Sequence, residues 1–170
     1  MTLRRMITIM DEHSDRFPAI ERAETYIRLG DWFMITRKPR LAHDAYRSAW
    51  QILADEDNAT KLLASYFGQP KRLKYFRPRL PQFGPGRYEN YDNKYAEVRY
   101  SVNEKGVVRN LKIVDSNSPA VMNGNMRSAV RGAIFRPRYV DGQPVVTDDL
   151  FLREEFAGTT LPVGAIPADN

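Results

Sequence analysis

Between positions 68 and 87 the sequence carries Pro70, Pro78, Pro81 and Pro85 together with Gly68, Gly84 and Gly86. Proline lacks the N–H that a helix or a sheet ladder needs, so this stretch is expected to be a linker or an extended connection. The hydrophobic period changes across it. On the N-terminal side only Pro18 and Pro39 interrupt apolar residues at helical spacing, which predicts several short helices over residues 1–67. On the C-terminal side Ala96, Val98, Tyr100 and Val102 alternate with Glu97, Arg99 and Ser101, the period of a half-buried strand. The predicted class is α+β. Its parts are a helical module at 1–67, a basic proline-rich linker at 68–92, a β-rich domain at 93–157 and a flexible tail at 158–170.

Local chemistry orders the β-rich domain as β-β-α-β. Asn103, Glu104, Lys105 and Gly106 supply a turn, with Gly106 free to take a positive φ, and make the first two strands a hairpin. In the second strand the expected inward residues Val108, Leu111 and Ile113 are spaced by three and then two, which predicts a bulge near Arg109 and Asn110. Ser118 before Pro119 reads as an N-cap followed by the first helical position, so a helix is expected over 119–133. Met122, Met126, Ala129, Val130 and Ala133 form its inward face, with the methionines as core residues. Asp141 and Gly142 predict a tight turn. A last strand over 145–156 is expected to turn Val146, Leu150, Leu152 and Phe156 inward and Thr147, Asp149, Phe151 and Arg153 outward.

Composition removes whole classes of function. In a chain of 170 residues with no cysteine, disulfides, thiolate metal sites, cysteine nucleophiles and iron–sulfur clusters are impossible. No stretch reaches the roughly 18–20 apolar residues that cross a bilayer, and Asp11 and Glu12 end the opening apolar run short of a signal peptide, so the start is read as mature sequence. Seven cations and no Asp or Glu lie between Asn58 and Tyr88, so the net charge of +5 less these seven leaves the rest of the chain at −2. The positive charge belongs to one segment. His13 and His43 lie far apart and outside any metal-ligand spacing, and Glu154 and Glu155 alternate across a strand and cannot form a facing acid pair. Gly84-Pro85-Gly86 is no phosphate cradle, since Pro85 has no N–H to aim at a ligand. No enzyme, cofactor or metal site is expected.

Tyr26, Leu29, Gly30, Phe33, Ala42, Tyr46 and Ala49 fall in the order and spacing of a tetratricopeptide repeat, and this part of the chain resembles one such unit of antiparallel helices. Gly30 and Ala42 are small where two helices must approach, Tyr26, Phe33 and Tyr46 are large enough to fill the gap, and Arg37-Lys38-Pro39-Arg40 is the turn. Leu3 to Met10 is expected to act as half of a preceding repeat and residues 58–67 as a capping helix.

A second resemblance rests on Val98-Arg99-Tyr100-Ser101-Val102, Gly106-Val107-Val108, Leu111-Lys112-Ile113, Ser116, Met126, Ala129-Val130, Phe135-Arg136-Pro137, Gly142-Gln143-Pro144-Val145 and Phe156. In this order and at these distances, residues 93–157 resemble the C-terminal domain of TonB-family energy transducers, a β-β-α-β unit with a small antiparallel sheet that usually follows a proline-rich spacer. The sequence departs from the family in placing Asp148 and Asp149 in the final strand and in lacking the membrane anchor. The resemblance implies a periplasmic adaptor whose last strand is an open edge that receives a peptide segment of a TonB-dependent outer-membrane receptor by strand addition. The edge would comprise Val145, Val146, Thr147, Asp148, Asp149, Leu150 and Phe151. In the family, energy comes from inner-membrane motor proteins of the ExbB/ExbD type, reached through the anchor.

Each feature also has a plainer explanation. Asp148 and Asp149 suit a solvated edge where charge deters aggregation. Lys71, Arg72, Lys74, Arg77 and Arg79 interleave with Tyr75 and Phe76 as a nucleic-acid contact would, yet a self-repelling spacer explains them too. The alternatives are therefore a scaffold that forms a homodimer through the sheet edge, and a basic nucleic-acid adaptor, the latter disfavoured by the negative flanks.

Overall fold

The computed structural model describes residues 2–81 and 90–157. The flexible tail expected at 158–170 and the glycine-proline cluster at 84–86 lie outside them. The chain is α+β: four helices, then small antiparallel sheets and a fifth helix.

Helix α1 (Leu3–Glu12) is capped by the Thr2 hydroxyl, which accepts from the Arg5 N–H at 3.4 Å. A 3-10 turn (Ser14–Arg16) and Pro18 separate it from α2 (Ala19–Ile35), and α3 (Pro39–Ala54) begins on a proline whose missing N–H costs a first helical turn nothing. Between α2 and α3 the Lys38 N–H donates to the Phe33 carbonyl at 2.8 Å and the Arg37 N–H to Met34 at 3.0 Å. This closes α2 with Arg37 in the left-handed region at φ 59°, a position that usually falls to glycine. A Cβ at Gly30 would overlap the Tyr46 ring, and Ala42 and Ala49 are fully buried, so small residues do stand where α2 and α3 meet. Helix α4 (Ala59–Phe67) completes the layer and buries Phe67.

The stretch expected to be a linker is structured at its start. Residues Lys71–Lys74 form strand β1, which pairs antiparallel with β4 (Ile134–Arg136). Pro70 precedes the strand and Pro78 follows it, so the prolines bound a pairing segment without removing a donor from it. Beyond β1, Tyr75 and Leu80 pack against the sheet core and Asn125 donates to the Arg79 carbonyl at 2.8 Å. Residues 75–81 are a strap.

The main sheet has the order β3-β2-β7, with β2 (Lys94–Val102) in the centre, β3 (Val108–Ser116) on one edge and β7 (Thr147–Phe156) on the other. The β2–β3 turn is held by Asn103, whose side chain accepts from the Lys105 and Val107 N–H groups, and Gly106 has φ 68°. The bulge falls where the spacing predicts it: Arg99 pairs with Lys112 and Ser101 with Arg109, so Asn110 and Leu111 face the single Tyr100, and Asn110 takes φ 51°. A second irregularity lies between Glu97 and Val98.

Helix α5 (Ala120–Arg131) lies on this sheet through Met122, Met126 and Val130, all buried. Its start corrects one expectation. Pro119 takes the cap position with no side-chain cap bond, and the Ser118 hydroxyl instead donates to the Tyr95 carbonyl at 2.9 Å, tying the helix start to β2.

The last strand is also corrected. Asp141 (φ 49°) and Gly142 (φ 72°) form the tight turn expected, but it joins two short strands, β5 (Arg138–Val140) and β6 (Gln143–Val145). Only after Val146 does β7 begin.

Two cores result. One lies under the sheet, around Val98, Met122, Met126 and Phe156. The other lies among the helices, and it also takes in Ile134 and Tyr139 from the C-terminal part. Between them Arg136 is buried, with Nε and Nη2 on the Asp31 carboxylate at 3.0 and 2.9 Å and Nη1 on the Tyr66 carbonyl at 2.9 Å. The Tyr46 hydroxyl donates to the same carboxylate at 2.7 Å, and burial followed by the Asp31 charge pushes that phenol far up.

Candidate functional site: the β7 edge

Strand β7 pairs with β2 and, among the described residues, with no other strand. Its other side therefore presents unpaired N–H and C=O groups at alternate residues. From Leu150 opposite Tyr100 to Phe156 opposite Lys94 the register with β2 is unbroken. The β3 edge, in contrast, is interrupted twice. A guest strand needs a regular row of partners, and residues 150–156 supply the longer one.

The expected edge residues divide into three groups. Val145 is not part of the edge: it belongs to β6 and pairs with Arg138. Val146 stands between the two strands. Thr147, Asp148 and Asp149 lie in β7, but Thr147 pairs with Val102 and Leu150 with Tyr100, so Asp148 and Asp149 together face the single Ser101. That is a bulge, and Asp149 takes φ 54° within it.

The extra residue reverses the facing of everything before it. Thr147 lies opposite the buried Val102 and so turns inward, its hydroxyl buried without a partner among the described residues, while Val146 is exposed. Both were expected the other way round. Leu150 and Phe151 begin the regular run, and Leu152, Arg153, Glu154, Glu155 and Phe156, which sequence reasoning left out of the edge, complete it. The signal was present in Asp148-Asp149, since aspartate tolerates the left-handed conformation that such a bulge requires.

The side chains along the run give the edge two different faces. Leu150, Leu152, Glu154 and Phe156 point to the core side, where Glu154 is buried and held by Arg77 of the strap, whose Nε and Nη2 lie 3.0 and 2.9 Å from Oε2. The Tyr75 hydroxyl is raised well above its ordinary value by burial and then by the Glu154 carboxylate. Phe151, 57% exposed, shares the open face with Arg153, whose guanidinium stacks 3.6 Å from the Tyr95 ring centre. The Tyr95 hydroxyl in turn donates to Asp115 of β3 at 2.8 Å, so the open face is braced across all three strands.

The basic segment is partly engaged. Arg72 stacks over Tyr75 at 4.6 Å, Lys74 over Phe76 at 5.2 Å, and Arg77 is committed to Glu154. Through residue 81 it is not the solvated, self-repelling spacer weighed above. His43 is set against Tyr139, with Nδ1 2.6 Å from the hydroxyl, and burial followed by the Arg47 charge lowers its pKa. Among the described residues no three His, Cys, Asp or Glu side chains gather as a metal site would need, and no helix is long and apolar enough to cross a membrane. No protein-family model matches the chain, and no curated protein is significantly similar to it in sequence.

Proposed function

We propose that the chain is a non-catalytic adaptor that binds an extended peptide segment by strand addition to β7, in the manner of the TonB-like domain that residues 93–157 resemble. The single observation in support is the one-sided ladder of β7, regular from Leu150 to Phe156. Main-chain pairing supplies affinity there, and Phe151, Arg153 and Glu155 on the open face supply selectivity for the guest's alternate residues. The guest is an N-terminal segment of an outer-membrane receptor, and the setting is the periplasm, with coupling to motor proteins of the ExbB/ExbD type. The helical layer, tetratricopeptide-like in its spacing, offers a second contact.

The test uses the full chain, because the helices and the sheet share the Arg136–Asp31 pair. Titration with receptor N-terminal peptides, followed by backbone amide shifts, is expected to move residues 150–156 first. Shifts confined to the helices or the strap would overturn the proposal. A second reading is favoured by the exposed Phe151 beside the same edge: two copies pairing β7 to β7. Concentration-dependent dimerisation that peptide does not reverse would select it.

A further inference from the structure

Three turns from different parts of the chain converge on a cavity of about 210 Å3: the α2–α3 turn, the β2–β3 turn and the end of α5. Met34 and Ile134 line it with apolar surface, and Gly106 brings the hairpin in close, since a Cβ there would overlap the Phe135 carbonyl and the Met34 side chain. Each turn contributes one cation, namely Arg37, Lys105 and Arg131, and no carboxylate lines the space.

These cations differ from others in the molecule. Arg136 is paired with Asp31, Arg77 with Glu154, Arg99 with Asp149 and Arg153 with Glu97. The side chains of Arg37, Lys105 and Arg131 have no ion pair, hydrogen bond or ring contact among the described residues. Three like charges around one hollow repel one another, and no carboxylate among the lining residues offsets them.

Arg37 adds a backbone observation. Five described residues other than glycine have positive φ, and four of them, Asn93, Asn110, Asp141 and Asp149, are of the types that tolerate it. Arg37 is the exception, a long charged side chain at the helix-ending position that glycine would fill without strain. In this conformation Arg37 borders the cavity.

The geometry points to a binding site for a small oxyanion of the phosphate class, held by Arg37, Lys105 and Arg131. A phosphate monoester carries about −1.5 to −2 charge at neutral pH and three acceptor oxygens, a closer match to three converging donors than a carboxylate's single charge. The cavity is smaller than the roughly 300–1,000 Å3 that encloses a drug-sized ligand. It therefore takes a free phosphate ion, or the phosphate head of a small soluble ester whose remainder projects outward.

The site does not involve β7 and stands or falls independently of the peptide-binding proposal. The experiment titrates the full chain with inorganic phosphate at fixed ionic strength, with parallel arms of glycerol 3-phosphate and acetate, and reads amide shifts. Saturable shifts at Arg37, Lys105, Gly106 and Val107, with residues 150–156 unmoved and acetate without effect, are the expected result. Tighter binding of glycerol 3-phosphate than of phosphate identifies an ester head; equal or weaker binding identifies the free ion. Arg37→Gly and Lys105→Ala should each weaken binding at least tenfold, and Arg37→Gly should leave the melting temperature unchanged or raised, because glycine relieves the strain. Non-saturable shifts, equal shifts with acetate, or undiminished binding by both variants would overturn the assignment.

Discussion

The two flanks of the C-terminal part treat main-chain and polar groups in opposite ways. On the β4 side, β1 covers the strand, Arg136 spends its guanidinium on Asp31 and the Tyr66 carbonyl, and Tyr46 completes the set. On the β7 side the ladder stops, and a regular row of donors and acceptors faces outward. The contrast separates cohesion from recognition: groups satisfied within the chain hold the layers together, and groups left unsatisfied can be claimed by a partner.

The closed flank is the place to expect the largest effect. Arg136→Ala strands the Asp31 carboxylate, and unfolding experiments should show a loss of about 3–5 kcal/mol. Replacing both members, Arg136→Met with Asp31→Leu, should recover part of that loss, because it removes the unpaired buried charge but leaves the Tyr46 hydroxyl without its acceptor. If the double variant is as unstable as the single one, the pair has been misread as a simple clamp.

Smaller effects sharpen the description of the open flank. Arg77→Ala leaves Glu154 without its guanidinium, and the melting temperature should fall by an amount corresponding to about 1 kcal/mol, moderated by the solvent around Arg77. Proline at Leu152 and at Arg153, tested separately, distinguishes the two sides of the strand. Neighbouring residues in an antiparallel edge direct their N–H groups alternately inward and outward. One substitution should therefore cost about 1 kcal/mol through a lost ladder bond, while the other should spare the fold and reduce peptide binding. Equal destabilisation by both would mean that β7 is covered on its outer side.

The smallest effect concerns pH and belongs to the helical core. Burial lowers the His43 pKa below its ordinary value, so the unfolded chain takes up the proton first on acidification. Stability from neutral His43 is thus fully present above about pH 6.5 and is lost as pH falls through the lower folded value. His43→Gln should flatten the decline in melting temperature between neutral and mildly acidic pH.

What could be read from the sequence followed the range of the interactions involved. The β2–β3 hairpin, the bulge at Asn110, the Asp141-Gly142 turn and the Met122, Met126 and Val130 face are set by neighbours a few residues apart, and each stands where spacing placed it. Strand β1 was missed because its partner lies sixty or more positions away and because prolines nearby argue against pairing. Arg136 was noticed only within Phe135-Arg136-Pro137, among the residues that carry the TonB-like resemblance, since Asp31 lies 105 residues from it in sequence. At the candidate site, residues 150 and 151 were placed in the edge, but the Asp148–Asp149 bulge moved its regular part toward the C-terminus and exchanged the facing of Val146 and Thr147. A single extra residue undoes any alternation counted through it.

The pairing of β1 with β4 has a mechanical consequence. Tension entering through the helices would reach the β1–β4 ladder by way of Arg136, and the strap that follows β1 passes it on to β7 where Arg77 holds Glu154. A guest lying along β7 would be hauled by a strand moored twice, through its ladder with β2 and through the Arg77 guanidinium.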